Sequence, residues 1–205
     1  MEKQQIKTEL GKILTKVGAL KFGTFTLTSG EISPYYMDLR IVPSFPEAFT
    51  RICDLYVELI KTQVGIDNFD RIAGIPTAGI SFGAIAAYQL RKPFVYVRTE
   101  ERKHGRGRKV EGLLSPGDRV LLIDDLVTKG GSIITAAESV RAESGVITDA
   151  VVLLDREENG TQNLADVGIK LHYMLTIRDL AQEMFNMATI TEEQLNTVLK
   201  RTKSK

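Results

Sequence analysis

The feature that most constrains this chain is a run of four apolar residues, two of them β-branched, that ends at two acids. The run is Val120–Ile123, and Asp124 and Asp125 follow it directly. Four consecutive apolar residues predict a short strand buried on both faces, as in parallel sheets. A polar stretch rich in glycine comes next, and residues 133–141 have the alanines and spaced apolar residues of a helix packed on a sheet. The sequence therefore predicts a strand, a loop and a helix in that order.

The loop after this strand has the composition of a phosphate-binding loop. Glycines let backbone N–H groups approach an anion, hydroxyls add donors, and the helix N-terminus supplies partial positive charge. Acids beside a phosphate site indicate contacts to sugar hydroxyls or to a divalent cation. An ordinary helix cap and tight turn is the alternative interpretation. The predicted ligand is a phosphorylated ribose, and the residues predicted to bind it are Asp124, Asp125, Leu126, Val127, Thr128, Lys129, Gly130, Gly131 and Ser132.

Composition narrows the class of protein. A chain of 205 residues is long enough for one domain with a sizeable core. A formal net charge of +1 argues against a broad electrostatic interaction with nucleic acid or membrane. The single cysteine, Cys53, excludes an internal disulfide, and its side chain is expected to be buried in the core.

The two ends of the chain are polar. The polar amino terminus and the lack of a long apolar segment favour a location in the cytoplasm. Residues 200–205 are basic and are expected to fray.

A basic segment is the second strong signal. Residues 98–109 contain six Lys and Arg against two Glu, so this segment should attract anions. A solvated charge run without function is the alternative interpretation. Within the segment, His104 could donate a proton or contact a phosphate. The other histidine, His172, follows an apolar strand position and is expected to be structural.

Three further segments carry candidate site residues. Residues 22–40 predict two short strands joined by a loop, in which Tyr35 and Tyr36 either stack on a heterocycle or pack within the hairpin. Residues 71–90 predict a second strand, loop and helix, which is either a second anion site at the same sheet edge or a simple turn. Arg156 follows the strand predicted at 149–154, and there it pairs either with a ligand carboxylate or with neighbouring acids.

Four separated motifs resemble the orotate phosphoribosyltransferases, which are type I phosphoribosyltransferases. The strand, acids and Thr/Gly loop at 120–132 resemble the motif that binds phosphoribosyl pyrophosphate (PRPP). Residues 25–38 are similar to the amino-terminal hood of that family, and residues 98–105 are similar to its catalytic loop. Asp155 and Arg156 match the position that recognises orotate. The resemblance extends from about residue 8 to residue 181.

The resemblance implies a fold as well as a reaction. The expected fold is α/β, the three-layer type I phosphoribosyltransferase fold, with a mostly parallel central sheet and a small amino-terminal hood. Alternating strands and helices point to the same fold class. One domain is expected over residues 1–205, with the hood formed by about residues 1–40 together with carboxyl-terminal elements. The implied reaction transfers the 5-phosphoribosyl group from PRPP to orotate, giving orotidine 5′-monophosphate and pyrophosphate, the step of pyrimidine synthesis that precedes decarboxylation.

The resemblance also assigns roles to individual residues. The implied catalytic residues are Arg98, Arg102, Lys103, His104, Asp124 and Asp125. The implied pyrophosphate contacts are Thr77 and Ala78, which stand where some members have a lysine. Two residues of the basic segment also depart from the pattern, since Thr99 and Arg102 each replace a lysine. The implied orotate contacts are Ser29, Gly30, Tyr35, Tyr36, Thr128 and Arg156.

The expected cofactor is Mg²⁺, held mainly by substrate oxygens with Asp124 and Asp125 nearby. The expected assembly is a homodimer in which the catalytic loop serves the neighbouring subunit, and a separate orotidine monophosphate decarboxylase is a candidate partner. Two alternatives remain open. One is a phosphoribosyltransferase for a different base, and the other is a PRPP-sensing regulator that binds nucleic acid. The regulator is disfavoured because the chain lacks a strongly basic balance.

Overall fold

The computed structural model describes residues 3–26, 30, 32–98 and 109–203. Its helices are α1 (Lys3–Lys16), α2 (Pro46–Leu59), α3 (Ala78–Leu90), α4 (Gly131–Ala142), α5 (Gly160–Asp166), α6 (Ile177–Asn186) and α7 (Glu192–Lys203). Its strands are β1 (Leu20–Thr26), β2 (Ile32–Met37), β3 (Arg71–Gly74), β4 (Phe94–Val97), β5 (Val110–Glu111), β6 (Val120–Ile123), β7 (Leu126–Val127), β8 (Asp149–Asp155) and β9 (Lys170–Thr176). None of the helices in these ranges is long and apolar enough to cross a membrane.

The central sheet is mostly parallel, as predicted. Its strands lie in the order β5, β4, β3, β6, β8, β9, and the short β7 pairs with β8 beyond the end of β6. Every pair is parallel except β4 with β5. Gly74, the last residue of β3, pairs with Tyr96 of β4 and with Ile123 of β6. The carboxyl ends of three neighbouring strands therefore meet at one edge of the sheet.

The apolar run in β6 exists because the sheet is covered on both faces. Leu121 and Ile123 belong to a core on one face, which also contains residues of α1, α2, α3, α6 and α7. Val120 and Leu122 belong to a second core on the opposite face, which is packed against α4 and α5. Side chains alternate between faces along a strand, so an alternating pattern would have left one face polar. The predicted three-layer α/β fold is confirmed.

The amino-terminal hairpin forms a separate two-stranded sheet. Strands β1 and β2 pair antiparallel, with Leu20 opposite Met37 and Thr26 opposite Ile32. The two strands predicted in this segment are therefore present. The ring of Phe25 stacks on that of Tyr36 with their centroids 5.5 Å apart.

Several sequence expectations need correction. The tail was expected to fray from residue 200, but α7 continues to Lys203, because Arg201 makes contacts with the body of the protein. Val110–Glu111 pairs with β4 as a short strand, which the sequence pattern did not predict. Strand β7 and helix α5 were also not predicted from the sequence pattern. By contrast, Cys53 is buried as expected, and burial raises the pKa of its thiol to about 12.

Candidate active site

The paired acids lie at the carboxyl end of β6 and are fixed through their backbone. The N–H of Asp124 donates to the Val151 carbonyl at 3.1 Å, and the N–H of Leu153 donates to the Asp125 carbonyl at 3.0 Å. The buried Tyr56 hydroxyl of α2 donates to the Asp124 carbonyl at 2.7 Å. The neighbouring strand and a helix on one face therefore hold both acids in place.

The two carboxyl groups lie in an environment that disfavours their charge. Asp124 is 6% exposed, and its Oδ1 accepts the N–H of Asp125 at 2.9 Å. Burial raises the pKa of Asp124 well above its usual value, and the neighbouring Asp125 adds to the effect. Burial also raises the pKa of Asp125. Hydroxyl donors or a cation placed against this pair would stabilise its ionised form.

The loop that follows leads into the N-terminus of α4. Gly130 has φ +84°, a left-handed conformation that glycine adopts without strain, and α4 begins at the next residue. Gly131 and Ser132 are exposed at this N-terminus, and Thr128 is half-buried. The 12-residue α4 thus presents its first N–H groups and a hydroxyl at the sheet edge, which is the geometry of an anion site.

Helix α5 packs behind this loop, and sequence reasoning missed it. A Cβ added to Gly160 would lie 2.5 Å from the Thr128 carbonyl oxygen, so only glycine permits so close an approach. The Asn163 side-chain amide donates to the Lys129 carbonyl at 2.9 Å. The signal that could have revealed α5 is the dipeptide Asn159–Gly160, which marks a turn before residues with helical propensity.

The second strand-loop-helix unit packs directly on the acids. The N–H of Ile75 donates to the Ile123 carbonyl at 2.9 Å. A Cβ added to Gly79, in the first turn of α3, would overlap that carbonyl and lie 2.9 Å from the Asp124 Cα. The peptide bond between Pro76 and Thr77 is cis. The structure therefore brings the loop with Thr77 and Ala78 to the same edge as Asp124.

The basic segment begins and ends at the β4–β5 pair. The N–H of Arg98 donates to the Lys109 carbonyl at 2.8 Å, and its Nη1 lies 3.1 Å from Oε1 of Glu111. Strand β4 ends at the sheet edge that carries the acids. Of the predicted site residues, Arg102, Lys103, His104 and Ser29 lie outside the described residues, as does Thr99.

Arg156 is buried beside the loop that leads into α4, residues 128–132, which we call the phosphate loop. Its backbone N–H donates to the Val127 carbonyl at 3.0 Å, and its side chain is about 5% exposed. Its Nη2 lies 3.0 Å from Oε1 of Glu158, and its guanidinium carbon lies 5.1 Å from the centroid of the Tyr35 ring. The ion pair with a neighbouring acid is thus present, but it is buried rather than at the surface. Binding of a ligand carboxylate by Arg156 stays a prediction.

The two tyrosines of the amino-terminal hairpin differ in burial and in their partners. Tyr35 is fully buried against Arg156, and its hydroxyl has no hydrogen-bond partner among the described residues. Tyr36 is half-buried, and its hydroxyl accepts from Nη2 of Arg40 at 2.6 Å. Both tyrosines also pack within the hairpin, since the ring centroid of Tyr35 lies 6.5 Å from that of Phe22 and the ring of Tyr36 stacks on Phe25. Contact of either tyrosine with orotate stays a prediction. Gly30 is exposed.

Arg40 is a cation near the paired acids that sequence reasoning also missed. Its Nε lies 2.8 Å from Oδ1 of Asp38, and this contact raises the pKa of Arg40 and lowers that of Asp38. The charge of Arg40 also reaches Asp125, where it opposes the effect of burial on the pKa. An acid and an arginine two residues apart, just after the hood strand, are the sequence signal for this cation.

Comparisons with known proteins agree with this geometry. A family model for the phosphoribosyl transferase domain matches residues 45–168. The orotate phosphoribosyltransferase of Cenarchaeum symbiosum is 42% identical over 186 residues, covering 91% of this chain and 93% of the relative. The crystal structure of orotate phosphoribosyltransferase from Aeropyrum pernix has a TM-score of 0.74 at 31% identity, covering 85% of this chain and 98% of that one. Leishmania donovani UMP synthase has a TM-score of 0.88 at 29% identity over 97% of this chain, which spans only 42% of that longer protein.

Proposed function

This chain belongs to the orotate phosphoribosyltransferases, and from that premise we propose that it transfers the 5-phosphoribosyl group of PRPP to orotate. The products are orotidine 5′-monophosphate and pyrophosphate, within pyrimidine biosynthesis. The observation that carries the proposal is the sheet edge itself. There the buried acids Asp124 and Asp125, a phosphate-type loop and a second loop packed on Asp124 lie together.

PRPP fits the charge pattern of this edge. We assign the 5-phosphate to residues 128–132, where backbone N–H groups and the hydroxyls of Thr128 and Ser132 can donate. We assign the ribose hydroxyls to Asp124 and Asp125, because two hydroxyl donors would stabilise carboxylates whose pKa burial raises. Leu126, Val127 and Lys129 to Gly131 complete the loop through their backbone.

Transfer requires that pyrophosphate leaves a ribose that becomes cationic. We propose that the loop with Thr77 and Ala78 binds the pyrophosphate through backbone amides. The basic segment supplies the countercharge, with roles for Arg98, Arg102, Lys103 and His104. Cations placed where negative charge develops lower the barrier, and a segment that closes over the site excludes water. Arg98 is tied to Glu111 at the base of this segment, so its position is set before substrate binds.

We place orotate between the hood and the loop after β8. Arg156 is the proposed partner of its carboxylate, because a guanidinium can donate two parallel hydrogen bonds to a carboxylate. Ser29, Gly30, Tyr36 and Thr128 are proposed contacts from the hood and the phosphate loop. The ring of Tyr35 packs against the guanidinium of Arg156 in a cation–π contact.

Magnesium is the proposed cofactor, and its main ligands are substrate oxygens. Among the described residues, no group of three or more His, Cys, Asp or Glu could hold a metal ion. Asp124 and Asp125 nevertheless offer the hard oxygen donors that Mg²⁺ prefers, so the residues present fit an ion shared with substrate. When bound, the ion would neutralise charge on the departing diphosphate.

The assembly and location are also proposals. We propose one domain over residues 1–205, acting as a cytoplasmic homodimer whose basic segment serves the neighbouring subunit. The product carries a carboxylate that UMP lacks, so a decarboxylase must act next. The likeness to a longer UMP synthase supports association with a separate orotidine monophosphate decarboxylase.

A panel of bases tests the proposed reaction. Purified protein with PRPP and Mg²⁺ is given orotate, uracil, adenine or hypoxanthine, and pyrophosphate release is followed. We expect release with orotate alone. Release with another base and not with orotate would support a different phosphoribosyltransferase. PRPP binding without release for any base would support the regulator instead.

A further inference from the structure

Glu158 lies between two arginines from distant parts of the chain. Its Oε1 is 3.0 Å from Nη2 of Arg156 and 4.0 Å from Nε of Arg201 on α7. The side chains of Arg156, Glu158 and Arg201 are about 5%, 4% and 16% exposed. Nη1 of Arg201 also donates to the Ile32 carbonyl of the hood strand β2 at 3.2 Å. One side chain of α7 therefore contacts both the hood and the acid that pairs with Arg156.

A second set of contacts ties the same loop to the carboxyl-terminal helices. Glu157 has φ +54°, and its N–H donates to Oδ1 of Asp155 at 2.8 Å. Its Oε2 lies 3.5 Å from Nε of Arg178 on α6, and Nη2 of Arg178 donates to the Thr202 hydroxyl at 3.2 Å. Contacts of two consecutive acids, Glu157 and Glu158, therefore fix the position of α7 relative to the loop after β8.

Arg156 keeps buried donors that make no hydrogen bond with any described residue. These are Nε and Nη2, and within the described ranges Nη2 has only the ion-pair contact with Glu158 at 3.0 Å. The free position of interest is Nε. A buried donor without an acceptor is unfavourable, and a ligand carboxylate would satisfy it. Whether Nε faces that carboxylate correctly depends on the rotation of the guanidinium plane. The ion-pair contact with Glu158 restricts this rotation, because it holds Nη2, which lies on the same edge of the guanidinium as Nε–H.

We propose that Arg201 is a positioning residue for recognition of the substrate carboxylate. It holds Glu158, which orients the guanidinium of Arg156, and it holds β2 of the hood beside the same group. This inference rests on the proposed function, because Arg156 is taken to bind orotate. It adds a role for the carboxyl-terminal helix, which acts on orotate through Arg156 and does not act on PRPP.

Steady-state kinetics of three variants test the proposal. Arg201→Ala removes the contacts with Glu158 and Ile32, and Arg201→Lys keeps the charge without the guanidinium. Asn196→Ala, which removes an exposed side chain from the same helix, is the control. We expect Arg201→Ala to raise KM for orotate at least fivefold and to change KM for PRPP by less than twofold. Arg201→Lys should recover part of the loss, and Asn196→Ala should behave as wild type. Equal changes in both KM values, or a fall in kcat alone, would overturn the proposal.

A double variant separates positioning from an independent effect. If Arg201 acts through Arg156, Arg201→Ala should add less than twofold to KM for orotate in an Arg156→Ala background. A full fivefold effect in that background would contradict the proposal. Hydrogen exchange gives a readout besides activity, and we expect faster exchange of β2 amides in Arg201→Ala than in Asn196→Ala. Glu158 keeps Arg156 in the single variant, so Arg201→Ala should fold.

Orotate turnover by the wild-type protein shows whether a negative result rejects this proposal alone or the proposed function as well. Turnover of orotate by wild type together with an unselective Arg201→Ala effect rejects the positioning role and keeps the reaction. Absence of orotate turnover in wild type rejects both.

Discussion

The burial of Asp124 is unfavourable for folding at neutral pH, and the proposed function gives this residue a role in ligand binding. Burial raises its folded pKa above the unfolded value, so the folded state prefers the protonated carboxyl. The resulting loss of stability is absent below the unfolded pKa of about 3.9 and grows as the pH rises above it. A ligand that donates hydrogen bonds to the carboxylate removes this disadvantage. Under the proposed function, the acid serves ligand binding and not the stability of the fold.

The first prediction follows from the direction of the Asp124 pKa shift. Asp124→Asn should raise the free energy of unfolding at pH 7 by about 1–2 kcal/mol, with no gain near pH 3, while transferase activity is lost. Urea unfolding across this pH range measures the gain. The control is Asp70→Asn, because the contact of Asp70 with Arg119 lowers the pKa of Asp70. That variant should lose stability at pH 7. An Asp124→Asn gain that is independent of pH would contradict the account.

Two buried tyrosines provide a second prediction with opposite signs. The Tyr35 hydroxyl has no partner among the described residues, so Tyr35→Phe should raise the free energy of unfolding by about 0.5–1 kcal/mol. The Tyr56 hydroxyl donates to the Asp124 carbonyl, so Tyr56→Phe should lower it by about 1–3 kcal/mol. Urea denaturation of both variants compares them directly. A loss of stability in Tyr35→Phe would show that its hydroxyl is satisfied in the folded protein.

At the scale of elements, the sequence predicted what local pattern determines. Strand β6 and the start of α4 were recognised because four apolar residues, two acids and glycines are adjacent in the chain. Strands β5 and β7 have two residues each, and the hydrogen bonds that form them come from strands distant in sequence. Helix α5 has seven residues and packs behind a loop far earlier in the chain, as the contact of Asn163 with Lys129, 34 positions away, shows. Such elements are set by tertiary contacts, which a local pattern does not contain.

The third prediction tests the role of α5. Gly160→Ala would place a methyl group 2.5 Å from the Thr128 carbonyl oxygen and 2.6 Å from Val127 Cγ2, so the phosphate loop must shift. We expect KM for PRPP to rise at least tenfold and the free energy of unfolding to fall by about 1–3 kcal/mol. Gln162→Ala, at an exposed position on the same helix, is the matched control and should change neither quantity. Normal PRPP kinetics in Gly160→Ala would show that the loop does not depend on α5.

At the scale of the whole molecule, the site is assembled from segments that the chain order keeps far apart. The acids and phosphate loop come from the sheet, the tyrosines from the amino-terminal hairpin, and Arg201 from the last helix. The sequence predicted most of the candidate site residues, since the motifs are local, and the rule for parallel strands predicted that these motifs meet at one sheet edge. It could not indicate that Arg201 contacts Glu158 or that Tyr35 lies under Arg156. Those contacts depend on how the hood and α7 pack, and no local spacing encodes that packing.

The most direct test of the account compares wild type with Arg156→Ala for orotate consumption in the presence of PRPP and Mg²⁺. We predict that wild type consumes orotate and releases one pyrophosphate for each orotate. In Arg156→Ala, kcat/KM for orotate should fall at least a hundredfold, about 2.7 kcal/mol, while KM for PRPP changes by less than threefold. Thermal unfolding of the variant serves as the folding control. Equal turnover in the two proteins would contradict the carboxylate role of Arg156, and no turnover in wild type would contradict the account as a whole.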